Sequence, residues 1–214
     1  MIATHSGLRE RKRRATENAI EEAAVSLAVQ QGPESVTVAE ICRRAEVSRG
    51  TFFNYFPSRE AAVFGRPIHL VTGAPADGVL ERYADNLPLA AFHLTITSIG
   101  HANMNSEVAR GRQQLLAGHP EAGRITSASL SLLQSQLVAA VQDWLERHPE
   151  RCLIGPENAR REALLTIGAA SAAAVVMADG WPSLQGDVPM REETFLAALE
   201  DLGRVVGVRP PETN

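Results

Sequence analysis

Lysine is almost missing from this chain, cysteine is scarce, and long apolar runs are absent. Of the 21 basic residues only Lys12 is a lysine, a bias that by itself carries no functional meaning. Two cysteines, Cys42 and Cys152, are too few for a disulfide scaffold, and their spacing has no metal-site signature. They fit a reducing cytoplasm. The first eight residues lack an apolar core and no run approaches the roughly 18 apolar residues of a membrane span, so neither export nor insertion is expected. There is no Walker loop, dinucleotide glycine motif, His-Glu-x-x-His pattern or nucleophile elbow.

What remains is 214 residues, 44% apolar and 21% charged, enough for one large domain or a small one joined to a larger one. The net charge of −4 argues, taken whole, against a nucleic-acid partner. It is unevenly spread. Up to Arg66 there are 10 basic against 8 acidic residues, and after it 11 against 17.

Apolar residues recur at helical spacing between Gly/Pro punctuation, which predicts an all-α fold. A first helix follows Leu8, with Ile20, Ala23, Ala24, Leu27 and Ala28 on one stripe, and ends at Gly32-Pro33. Thr37-Val38-Ala39-Glu40 has the form of a capping box and starts a short helix. Ser48 caps a third helix that Pro57 stops, and Ser58 caps a fourth. Residues 72–78 read as a loop. Further helices are expected over 79–85, 87–102, 107–117, 120–147, 157–178 and 191–206. Segment 94–99 alternates like a strand, but Leu89, Phe92, Ile96 and Ile99 continue a helical stripe.

The two short helices over 37–56 form a helix-turn-helix, an arrangement that lays its second helix in the DNA major groove. At 100° per residue Phe52 and Phe56 share a side with Arg49 and Phe53, opposite Gly50, Thr51, Asn54 and Tyr55. Arg49 suits a two-pronged bond to a guanine edge. Thr51, Asn54 and Tyr55 suit phosphate oxygens, which fix register more than sequence. Arg9, Arg11, Lys12, Arg13 and Arg14 add a basic cluster, and Arg43, Arg44 and Arg59 add charge near the motif.

The run Thr37-Val38-Ala39-Glu40-Ile41-Cys42-Arg43-Arg44-Ala45-Glu46-Val47-Ser48-Arg49-Gly50-Thr51-Phe52-Phe53-Asn54-Tyr55-Phe56-Pro57-Ser58-Arg59-Glu60 resembles the tetracycline-repressor (TetR) family of transcriptional regulators. The resemblance covers about residues 9–64. It implies a DNA-binding domain over 1–64 and a helical effector-binding and dimerisation domain over 65–214. It also implies that Arg49, Gly50 and Phe53 face bases, while Thr37, Thr51, Asn54, Tyr55 and Arg59 hold the backbone. With Arg43, Arg44 and Ser48 these make the expected DNA-binding set. Glu46 departs from the family, which often has glycine in the turn. A left-handed residue there costs about 1 kcal/mol when it carries a side chain.

In the larger part, small residues Ala169–Ala174 and the apolar face of 191–206 predict a homodimer through helices 157–178 and 191–206. Phe92, His93, Thr97, His101, Met104, Trp144 and Met177 form the expected effector pocket. Two histidines eight residues apart stand about 12 Å apart along a helix, too far to chelate one metal, and no cofactor is expected. Arg110, Arg112, His119 and Arg124 offer an alternative hold for an anionic effector. The expected function is a cytoplasmic DNA-binding repressor released by a small molecule. The rivals are an all-α enzyme and a DNA-binding protein without an effector.

Overall fold

The structure, a computed structural model, describes residues 7–207, the side chains of 120–126 excepted. It is all-α apart from two short strands. The helices are α1 (Leu8–Gln31), α2 (Val38–Arg44), α3 (Arg49–Tyr55), α4 (Arg59–Phe64) and α5 (Ala74–Arg82). They continue with α6 (Leu87–Ile99), α7 (Ser106–Gly118), α8 (Pro120–Arg147), α9 (Ala159–Asp179) and α10 (Glu192–Val206). The strands β1 (Asn103–Asn105) and β2 (Asp187–Pro189) pair with each other. Non-local pairing of three-residue strands leaves no periodicity to read, so the sequence had offered no sign of them.

Local chemistry accounts for most helix ends. Gly32 takes φ 84° and stops α1, a conformation open to glycine because it lacks a Cβ. Asn86 caps α6 by accepting from the Leu89 amide, and Asn105 caps α7 by accepting from two amides. Helix α5 begins at Ala74, inside the segment expected as a loop: Pro75 sits in its first turn, where a missing N–H costs nothing. Pro88 does the same for α6.

The chain folds as two compact units built from interleaved segments. Among the described residues, the first takes 7–67 together with 105–128 and 182–188; the second takes 68–104, 129–181 and 189–207. The first unit is thus larger than the expected 1–64 segment. Its core joins Ile20, Ala24 and Val25 of α1 to Ile41, Phe52, Phe56 and Ala62, and adds Val108 and Leu115 from α7. Helices α1 and α7 come close at Gly111, where an added Cβ would collide with Val25. Arg112 on α7 donates to the carbonyls of Ala62 and Val63 and to Glu21 Oε1 at 2.8 Å, tying α4 and α1 to the same helix.

The second unit packs Leu80 of α5, Leu89, Phe92 and Leu94 of α6, Val141 and Trp144 of α8, Ile167 and Ala173 of α9, and Phe195 of α10. Phe92 and Phe195 stack 4.5 Å apart. An 18-residue window within Pro156–Ser183 has a mean hydropathy of 1.6 and is one-third buried; by length and composition it passes for a membrane span, a test that the core helix of a globular protein also passes. The large aliphatic residues carry most of that hydropathy: Leu164, Leu165, Ile167, Val175 and Val176. The larger side chains that α9 leaves exposed are Leu164, Leu165, Val175 and Val176.

Candidate nucleic-acid interface

Helices α2 and α3 owe their short lengths to their caps. The Thr37 hydroxyl accepts from the Glu40 amide at 3.3 Å and donates to Glu40 Oε2 at 2.7 Å, and the Thr37 amide donates to the same oxygen at 3.0 Å. Both halves of the capping box are present. These bonds hold the Glu40 carboxyl below its ordinary range. Ser48 Oγ accepts from the Thr51 amide at 3.0 Å and lies 2.8 Å from the Thr51 hydroxyl. Between the helices, Glu46 has φ 54° and is the sole non-glycine with positive φ among the described residues. The turn keeps its left-handed residue although a side chain stands there.

Phe52 and Phe56 are wholly buried under α3 and anchor it. Helical spacing puts Phe53 on their side, but the residue is 46% exposed. A seven-residue helix buries only the i and i+4 positions, and Phe53 lies past the edge of that narrow stripe. Tyr55, expected opposite, is half-buried and packs on the first core. The exposed face of α3 therefore consists of Arg49, Gly50, Phe53 and Asn54, with Thr51 half-buried beside them. The Arg49 guanidinium lies 5.7 Å from the centre of the Phe53 ring, and no carboxylate pairs with it among the described residues.

Gly50 has no internal reason to be glycine. Its φ is not positive, and an added Cβ would meet nothing closer than Ser48 Oγ at 3.7 Å. Glycine within a helix costs about 1 kcal/mol relative to alanine. The protein bears that cost on the one face that a groove would receive.

The remaining cations divide into two groups. Arg44 donates to Ser26 Oγ and Gln30 Oε1, and Arg59 donates to the carbonyls of Glu34 and Val36 and to Glu60. Both have internal bonds that the sequence did not show. Arg43 is exposed, as is Thr37. Beside Tyr55, an open cleft of about 690 Å³ is lined by Leu8, Arg9, Lys12, Arg13 and Thr16. Arg9, Lys12 and Arg13 lie outside the expected DNA-binding set, and Arg13 also pairs with Glu10 at 2.8 Å. One helical turn on α1 separates Arg9 from Arg13, and the cleft brings both to the recognition helix.

Most of the residues expected around an effector are packed in or against the second core. Phe92, Trp144 and Met177 fill the second core, and Met104 packs at its margin. His93 bonds Glu192 Oε2 at 2.9 Å and stacks on Tyr83 at 4.2 Å. Thr97 is exposed and donates to the His93 carbonyl at 2.7 Å, and His101 Nδ1 accepts from the Asn103 amide at 3.4 Å. Two open clefts of this unit are lined by other residues, one by Gln134 to Gln142 of α8 with Arg160 to Ser171 of α9, the other by 70–80 with Gln136 to Arg147. The Trp144 indole N–H is buried with no acceptor. Arg110 is bonded to the carbonyls of Pro182 and Leu184, and Arg112 to those of α4. The Arg124 side chain lies outside the described residues. No group of three or more His, Cys, Asp or Glu able to hold a metal occurs among the described residues.

A capped helix-turn-helix with an unpaired arginine on its second helix and a basic cleft at its flank defines a DNA-binding head. Residues 20–63 match the family model described as bacterial regulatory proteins, tetR family. The chain accordingly carries the DNA-binding domain of a TetR-family regulator. No curated protein matches it. Among solved structures, Salmonella enterica GusR is 16% identical over 90% of this chain and 96% of that one, with a TM-score of 0.33, a likeness on which nothing further rests.

Proposed function

We propose that the chain is a cytoplasmic homodimeric repressor that holds a palindromic operator and is released from it by a small molecule. The observation that carries the operator reading is the exposed face of α3, where Arg49, Gly50, Phe53 and Asn54 stand on a base of buried Phe52 and Phe56. Arg49 reads a guanine edge. Thr51, Asn54, Tyr55 and the cations of α1 hold phosphates.

Two copies meet through α9 and α10: α9 leaves Leu164, Leu165, Val175 and Val176 exposed, and α10, which packs Phe195 and Ala198 on its own chain, leaves Val205 and Val206 exposed. Pairing the small-residue face of α9 about a two-fold axis would present two recognition helices to two half-sites. The effector enters the second unit, where the unsatisfied Trp144 N–H supports a role for a bound acceptor. The effector releases DNA by favouring a dimer state whose half-site spacing is wrong.

Selection of bound sites from random DNA, repeated with candidate effectors, tests this reading. A palindrome whose enrichment an effector abolishes supports it in full. A palindrome indifferent to every effector reduces the chain to a constitutive binder. Enrichment of no sequence defeats the operator reading and returns the enzyme to contention.

A further inference from the structure

The cleft between α5, α8 and residues 70–73 has a volume of about 430 Å³, in the range of small-molecule sites. Of the four apolar residues that α5 and α8 bring to it, three are alanines, Ala76, Ala139 and Ala140, and the fourth is Leu80. The charged residues that line it are Asp77, Asp143 and Arg147. Arg147 Nη2 donates to Asp77 Oδ1 at 2.6 Å, and its Nε donates to the Asp143 carbonyl at 3.2 Å. The guanidinium charge is thus taken by Asp77. The Asp143 carboxylate has no hydrogen bond or ion pair to another side chain among the described residues. It also stands close to the C-terminal end of α8, where the helix dipole favours a cation and disfavours an anion. A carboxylate kept there without a partner brings the fold no return.

Residues 70–73 form the remaining wall. The Leu70 amide donates to Gln136 Oε1 at 3.3 Å and the Val71 amide to Ser98 Oγ at 3.0 Å. The second unit starts at Ile68, two residues earlier, so a molecule in the cleft touches the chain close to where it enters that unit. Two carboxylates against one guanidinium leave a negative charge unanswered, and a ligand that answers it gains attraction and orientation together. We propose that this cleft takes the effector and that the effector is an organic cation. Its ammonium group lies at Asp143, and its apolar body covers Leu80 and the three alanines and presses on residues 70–73. This inference rests on the effector reading above.

The test uses the full chain and three matched series of small molecules, benzyl, hexyl and adamantyl, each carrying an ammonium, a hydroxyl or a carboxylate. Binding is measured by calorimetry, and release by titration of the operator complex. In at least one series the ammonium compound should bind about ten-fold tighter than the alcohol, the margin of one charge-assisted hydrogen bond, and it should weaken operator binding. In Asp143→Asn the ammonium compound should fall to the level of the alcohol. The variant should fold at least as well as its parent, since it removes an anion from the negative end of a helix. No preference for the ammonium in any series, or a preference that persists in Asp143→Asn, overturns the proposal. So does an Asp143-dependent cation that leaves operator affinity unchanged. Release by alcohols or carboxylates alone overturns the proposal and leaves the effector reading standing. An operator complex that neither these compounds nor the wider set of candidate effectors release overturns both.

Discussion

Arg14 and Asp187 lie far apart in the chain, yet Arg14 Nη2 donates to Asp187 Oδ1 at 2.9 Å. The bond fastens the first helix of the DNA-binding unit to the segment that links α9 to α10. Arg14 is nearly buried, and the same guanidinium lies 3.5 Å from the buried Glu17, which also pairs with Arg66. A guanidinium withdrawn from water is costly when a partner is taken away. Asp187→Ala should therefore destabilise the protein by about 1–2 kcal/mol, read as a lower urea midpoint with an unchanged slope. No change in midpoint would mean that water replaces the carboxylate without loss.

Glu46 is where stability and sequence disagree most openly. It holds φ 54° between α2 and α3 with a Cβ in the way. Glu46→Gly removes that clash and gives back part of the gain as freedom of the unfolded chain, a net stabilisation of about 0.5–1 kcal/mol. A raised melting temperature with unaltered helix content is the expected result.

Glu40 gives the DNA-binding unit an acid-sensitive joint. Its carboxyl sits below the ordinary value of 4.5 because the Thr37 hydroxyl and amide donate to it. A folded-state pKa lowered in this way supplies stability above the unfolded value, and that stability disappears as pH falls through the folded one. Glu40→Ala should lower the urea midpoint at pH 7 and converge on the parent protein at a pH well below 4.5. Thr37→Ala should cost about 1 kcal/mol at neutral pH. It removes a hydroxyl that the expected DNA contacts include, so operator affinity should fall as well.

Signals confined to four or five residues were legible: Thr37 with Glu40, Ser48, Ser58 and Gly32 each mark a helix end that the structure contains. What needs a distant partner was not. Arg44 and Arg59 look like free cations in sequence, and only the fold brings Gln30, Ser26 and the carbonyls of Glu34 and Val36 to them. The pairing of β1 with β2 and the recruitment of α7 into the first unit are likewise products of tertiary contact. Phe53 shows the limit of periodicity on a short helix, where one position decides between core and groove. The seven proposed effector residues show another limit, since spacing along α6 cannot tell a lined cavity from a packed core.

Arg49→Ala should weaken operator binding by about 1–3 kcal/mol and relax one base position. Tyr55→Phe should instead weaken binding to all sequences alike, because a phosphate contact carries no base information. Titrations against the selected site and a scrambled duplex separate the two. Unchanged affinity and base preference in Arg49→Ala would remove it from the reading face.

Gly50 separates folding from function with a single methyl group. An alanine there meets only Ser48 Oγ, at ordinary contact distance, and α3 gains a better helix former. Gly50→Ala should therefore raise stability by about 0.5–1 kcal/mol. If the backbone of α3 lies against base edges, the same methyl group intrudes between protein and DNA and operator affinity falls. Opposite signs in a melting curve and a binding titration are the expected outcome. A variant that is more stable and binds as tightly as its parent would place the closest approach to DNA elsewhere on the helix.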